Sequence, residues 1–257
     1  MEFLLIGLVA ALASLLTFFS GFGLGTLLAP VLMAFFPVEV AIALGAVVHL
    51  LNNLFKFFLV GRKMDWSVVM RFGLPAVVGA LAGSWVLGVI PDDLTLHAWN
   101  LFGHLCVITP LKLVMSGLLL LFVAFEIVPA LANLQFHPNA LPVGGLLSGF
   151  FGGLSGNQGA LRSAFLLRLK LSKEAFIATG IVIATLIDLT RLGVYFGRVV
   201  EVNWAENWQL LLVAVGCAFT GAYVGNKLLK KVTLGAVQVM VTVCLFLLAV
   251  ALGLGVI

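Results

Sequence analysis

Apolar residues in this chain neither alternate with polar ones nor form narrow helical stripes; they run on for whole helices, broken by short charged clusters or by glycine. The runs predict helices at 3–19, 39–60, 66–90, 113–132, 142–154, 173–196, 205–229 and 232–256. In lipid every backbone amide must be satisfied within its own segment, so runs of this length mean membrane helices. The alternating ten-residue strands of a lipid-facing barrel are absent from the pattern. Two segments are too short to cross. Ser20-Gly21-Phe22-Gly23-Leu24-Gly25 breaks the first run, and an arm of about a dozen residues follows, closing at Phe36-Pro37. At 1.5 Å per residue it reaches about 18 Å, against a hydrocarbon core of roughly 30 Å. Ser155-Gly156-Asn157-Gln158-Gly159 makes a second break, with an arm that ends near residue 170.

These breaks belong to an internal repeat. Residues 20–56 and 155–191 align without a gap at an offset of 135 residues, sharing Ser20/Ser155, Gly21/Gly156, Leu32/Leu167, Glu39/Glu174, Ile42/Ile177, Ala43/Ala178 and Gly45/Gly180. Gly79-Ala80 with Gly83 corresponds more loosely to Gly221-Ala222 with Gly225, small-residue faces suited to close helix packing. The expected fold is therefore all-α and integral to the membrane, with repeats at 1–132 and 142–257 joined by a linker at 133–141. Each repeat is a broken re-entrant hairpin plus three spans. Three crossings per repeat invert one half relative to the other. That arrangement puts the basic clusters Arg62/Lys63, Arg168/Lys170/Lys173 and Lys227/Lys230/Lys231 on one side, and the acidic connection 91–112 and both termini on the other.

Composition agrees: 63% of residues are hydrophobic, 9% are charged and mean hydropathy is +1.23, against about 25% charged in soluble domains. The net charge of +4 is accounted for by loop lysines and arginines that orient a membrane protein, so no nucleic-acid partner is expected. Cys106, Cys217 and Cys244 show neither metal nor redox spacing, and no cofactor or metal is expected. The N-terminus imitates a signal peptide but has Glu2 and no basic residue before its apolar run, so it is expected to stay as a membrane segment. The lipid bilayer is one partner, a small anion the other; a homo-oligomer is left open.

Matched helix breaks in inverted repeats point to a substrate site near the midplane. A helix that starts inside the membrane leaves its first amides unpaired and aims the positive end of its dipole into the cavity, which attracts an anion. Candidate substrate-binding positions are Gly21, Gly23 and Gly25 at the first break, and Ser155, Gly156, Asn157, Gln158 and Arg162 at the second. The Arg162 guanidinium could clamp an oxyanion or form a structural pair with Asp188. On 39–60, His49, Asn52 or Asn53, and Lys56 share one face, and His49, Asn52 and Asn53 join the candidate substrate-binding positions. His49 and Asp188 are the candidates for carrying a coupled proton, although Asp188 and Arg191 are also spaced for an ion pair. Lys56 and its counterpart Arg191 are expected to snorkel to the interface.

The segments FFSGFGLGTLLAPVL (Phe18 to Leu32), VVHLLNNLFK (Val47 to Lys56) and SGFFGGLSGNQGALRSAFLLR (Ser148 to Arg168) resemble the TauE/SafE sulfite-exporter family of membrane transporters, over essentially the whole chain. The resemblance implies a bacterial inner-membrane protein that moves sulfite, sulfonates or related anions. The two halves differ at the break. Phe22, Gly23 and Leu24 stand where the second half has Asn157, Gln158 and Gly159, and Leu27 stands where it has Arg162, so a symmetric two-arginine site is excluded.

The reading is a secondary transporter of a small anion working by alternating access, without a Walker motif and so driven by a gradient. A passive anion channel and an accessory membrane subunit are the alternatives. An intramembrane enzyme would need a catalytic set such as HExxH or paired aspartates, which the sequence does not contain.

Overall fold

The computed structural model describes residues 2–20, 24–33, 35–36, 38–91, 93–132, 134, 136–197, 204–228 and 234–257. Helix α1 (Glu2–Ser20) is followed by the half-length α2 (Leu24–Met33) and by α3 (Val38–Val60). Next comes α4 (Trp66–Val89), which carries a π-helical turn at Val69–Gly73. Asp65 caps α4 by accepting from the Val68 amide at 3.1 Å, and the helix stops at Ile90-Pro91, where proline disfavours the α conformation of the residue before it. Thr109 caps α5 (Pro110–Ile127), which ends before Pro129. The second half has α6 (Leu141–Ser155), the half-length α7 (Gly159–Leu166), α8 (Lys173–Val194), α9 (Trp204–Leu228) and α10 (Leu234–Gly253). Among the described residues four helices are long and apolar enough to cross a membrane: Val40–Lys63, Trp66–Val89, Lys173–Val194 and Trp208–Leu228. The chain is a multi-pass helical membrane protein.

The expectation of an all-α chain is corrected in one place. Within 91–112, taken as a plain polar connection, His97–Leu101 (β1) and His104–Ile108 (β2) pair as an antiparallel hairpin. Phe102 and Gly103, both at positive φ (49° and 87°), form its two-residue turn, the left-handed geometry that suits the twist of paired strands. The hairpin holds the far end of the chain: Trp99 Nε1 donates to the Leu254 carbonyl at 2.8 Å and the Val107 amide to the Gly255 carbonyl at 3.1 Å. The third span also sits three residues earlier than expected, because Thr109-Pro110 starts it with a cap and a proline that together favour a helix N-terminus.

Packing is reciprocal between the halves. α1 lies along α9, α4 lies along α6, α3 crosses α8 and α5 crosses α10. The α4–α6 contact is backbone on backbone. A Cβ added at Gly145, Gly149 or Gly153 would strike the carbonyls of Phe72, Ala76 and Ala80 in turn, and one at Gly83 would strike that of Phe150. Glycine at every fourth residue lets two membrane helices approach this closely. Gly221 does the same for α9 against the Ala11 carbonyl of α1.

α3 and α8 run antiparallel. Asn53 is bonded to Asp188, while Asp65, just past α3, donates its amide to Thr179 near the start of α8 at 2.9 Å. The ends of α3, α8 and α9 meet where Val60, Phe176 and Leu228 pack on one apolar cluster with Ile177, Ile181 and Ala222.

Candidate functional site

The second break closes α6 with Gly156, whose φ of 78° is left-handed and whose amide donates to the Gly152 carbonyl at 2.8 Å. Glycine takes that conformation without steric cost and so ends the helix. The terminal carbonyls are capped from outside: the Ser84 and Tyr195 hydroxyls both donate to the Gly153 carbonyl. Ser155 is used within the turn, donating to the Phe151 carbonyl at 3.0 Å and accepting from the Asn157 amide at 3.3 Å. Gln158 is the first residue before α7, and its side chain makes no cap. Arg162 lies one turn further, on the same face.

Against this break stand α3 and α8. Asp188, fully buried, accepts from three groups. His49 Nδ1 lies 2.6 Å from Oδ2, Asn53 Nδ2 donates to the same oxygen at 2.9 Å, and Arg191 Nε donates to Oδ1 at 3.0 Å. The Asn52 amide takes the orientation in which its nitrogen faces Ser14 Oγ (3.0 Å) and the Ala218 carbonyl (3.3 Å) and its oxygen faces Lys56 Nζ (3.2 Å). Two hydrogen-bonded groups, adjacent along α3, thus draw on α1, α3, α8 and α9.

Three glycines shape this neighbourhood. A Cβ at Gly156 would lie 2.6 Å from Arg191 Nη1, one at Gly180 would lie 3.2 Å from Arg162 Nε, and one at Gly152 would lie 3.2 Å from Gln158 Cβ. Each polar side chain occupies space that a larger residue would fill. The structure therefore brings together His49, Asn52, Asn53, Gly156, Asn157, Gln158, Arg162 and Asp188. Gly25 sits in the first turn of α2, and Gly21 and Gly23 lie outside the described residues.

Two expectations are overturned. Lys56 and Arg191 do not snorkel; they are 4% and 3% exposed and belong to the buried cluster. The spacing of His49, Asn52 and Lys56 on one face was the available signal. Counting residues along a helix gives depth but not what covers it, and here the neighbouring helices cover both side chains. Asp188 makes its short ion pairs with His49 and Arg191, the second of these being the i, i+3 pairing that the spacing had left open.

Among the described buried side chains are three strong bases, Lys56, Arg162 and Arg191, and one carboxylate, Asp188. Burying an ion costs several kcal/mol unless another charge and hydrogen bonds compensate it. Also buried, with no hydrogen-bond partner, are Asn157 Oδ1, Ser163 Oγ and both ends of the Gln158 amide. No cluster that could hold a metal occurs among the described residues.

These features define a polytopic membrane protein with a buried polar site at an interrupted helix, holding Lys56, Arg162 and Arg191 among its described residues. The chain belongs to the sulfite exporter TauE/SafE family, which it matches over residues 6–252. It is a membrane transporter of the sulfite-exporter type. None of the curated proteins and none of the solved structures gives a match.

Proposed function

We propose that this protein is a secondary transporter that carries a small anion, sulfite or an organosulfonate, by alternating access between inverted halves in a bacterial inner membrane. The observation that carries the reading is Arg162, a buried guanidinium in the first turn of α7 beside the second break. A bound anion is held at that turn. Arg162 grips it through paired hydrogen bonds, the break supplies backbone amides from 155–159, and Asn52, Asn53, Asn157 and Gln158 add polar contacts. Gly21, Gly23 and Gly25 are the corresponding candidates in the sequence of the first half. His49 and Asp188, 2.6 Å apart, are the pair through which a proton is coupled to the anion.

The inverted arrangement, with repeats at 1–132 and 142–257 and a linker at 133–141, draws support from α3 and α8. They hold matching places in the two repeats and run antiparallel. The three ends that carry or adjoin the basic clusters of the sequence also meet at one end of the molecule, as the positive-inside rule requires of inverted halves.

The test is thermal stability of the purified protein with an anion panel, followed by flux in proteoliposomes. An anion at a hundred times its dissociation constant stabilises the folded state by about 2.7 kcal/mol. Sulfite or one sulfonate should stabilise wild type while chloride and sulfate do not, and Arg162→Ala should lose the effect. Absence of stabilisation by any anion on the panel refutes the reading. Flux that neither saturates nor supports counter-transport identifies a channel instead.

A further inference from the structure

Gln158 stands apart from the other polar residues of the site. Asp188 gathers His49, Asn53 and Arg191, with only Arg191 Nη2 of that group left without a hydrogen-bond partner, and Asn52 bonds Ser14 and Lys56. The Gln158 side chain is 1% exposed, yet neither Oε1 nor Nε2 has a hydrogen-bond partner. This does not depend on which way the amide is turned, since both ends are alone. Nor is the residue serving as a helix cap: its carbonyl accepts from the Ser148 hydroxyl at 3.3 Å and from the Arg162 amide at 3.0 Å, while its side chain caps nothing. Room for it is made by Gly152, where a Cβ would come within 3.2 Å of Gln158 Cβ and 3.5 Å of Cδ. Native interiors rarely leave such groups alone, because each orphaned donor or acceptor costs about 1–3 kcal/mol.

A carboxamide asks for two things at once, an acceptor for its N–H and a donor for its C=O. A bare oxyanion supplies acceptors only. It can satisfy Arg162 and Gln158 Nε2, but it leaves Gln158 Oε1 buried and unmatched, and the buried Asn157 Oδ1 beside it offers a second acceptor. Ser163 Oγ, also without a partner, can act in either sense. The unmet requirement is for donors on the ligand.

Building on the anion-transport reading above, we infer that Gln158 is a specificity-determining residue that recognises a hydroxyl or ammonium donor carried by the transported anion itself. Gln158 immediately precedes α7 and its carbonyl accepts from the Arg162 amide at 3.0 Å, so the two side chains start from neighbouring points of the same turn. A donor on a short ligand is therefore within reach of Gln158 while Arg162 holds the acidic group. The substrate class is a short hydroxy- or amino-substituted sulfonate, in preference to sulfite or an unsubstituted alkyl sulfonate.

The experiment measures binding to the purified full chain by thermal shift, with 2-hydroxyethanesulfonate, 2-aminoethanesulfonate, ethanesulfonate, 2-methoxyethanesulfonate and sulfite as probes. Wild type should bind a donor-bearing sulfonate about tenfold or more tighter than ethanesulfonate, the scale of discrimination that a buried polar pair gives. The methoxy compound, which keeps the oxygen but lacks the donor, should fall back to the ethanesulfonate level. Gln158→Met, of similar volume, should bring the ratio of the hydroxy compound to ethanesulfonate to near one, whatever it does to ethanesulfonate binding itself. Equal binding of the hydroxy and methoxy compounds by wild type overturns the inference without any variant, as does a ratio that survives in Gln158→Met. If ethanesulfonate and sulfite bind but no preference exists, anion transport stands and this inference alone fails. If no probe binds, the transport reading has failed and this one with it.

Discussion

α2 and α7 occupy matching places 135 residues apart, each a half-length helix after a glycine break, and they bury different things. α2 puts Leu24, Leu28 and Leu32 into the apolar core, each at most 1% exposed. α7 follows Gln158 and carries Arg162 and Ser163 where the first half has Leu27 and Leu28. The same backbone device thus serves as a packing element in one half and as the chemical half of the site in the other.

The comparison can be broken most severely at the pair where the halves touch. Asp188→Ala leaves His49 and Arg191 buried beside no carboxylate and should destabilise the protein by about 3–5 kcal/mol. Asn53→Ala, at the corresponding position, removes one donor and should cost about 1–2 kcal/mol. Chemical unfolding in detergent measures both, and equal costs would show that the asymmetry is not energetic. The arms come next. Leu28→Ala should lower stability by about 2–5 kcal/mol through the cavity it opens and leave anion affinity within a few-fold of wild type. Arg162→Ala should do the reverse, weakening anion affinity about a hundredfold with the fold retained, as expected when a charged hydrogen-bonding partner is removed. Binding isotherms and melting curves on the two variants separate these outcomes. The smallest effect lies outside the site. Trp99→Phe removes the bond to the Leu254 carbonyl and should lower stability by about 1 kcal/mol without moving anion affinity, read from the same melts.

The helices were legible because a membrane span is written in composition over twenty or so residues, and both breaks because glycine next to serine or asparagine interrupts such a run. Arg162, His49, Asn53 and Asp188 were legible as well, each a polar residue at a depth where polarity is expensive. Lys56 and Arg191 were not, since their burial depends on helices from elsewhere in the chain. In the sequence Gly180 is only a position shared with Gly45, and the packed structure alone shows that the space beside it is taken by Arg162, while a Cβ at Gly152 would meet both Ile187 and Gln158. The hairpin at 97–108 was hidden by its setting: Phe102-Gly103 is a turn signal, but in a connection rich in charge and histidine it did not stand out against the surrounding spans.

Asn53 and Asp188 are 135 residues apart in sequence and 2.9 Å apart in space. The residue that faces the carboxylate is an amide, which donates to Oδ2 and brings no second negative charge to the spot. The acceptor oxygens of Asp188 therefore go undivided to one set of donors, with His49 and Asn53 on one oxygen and Arg191 on the other.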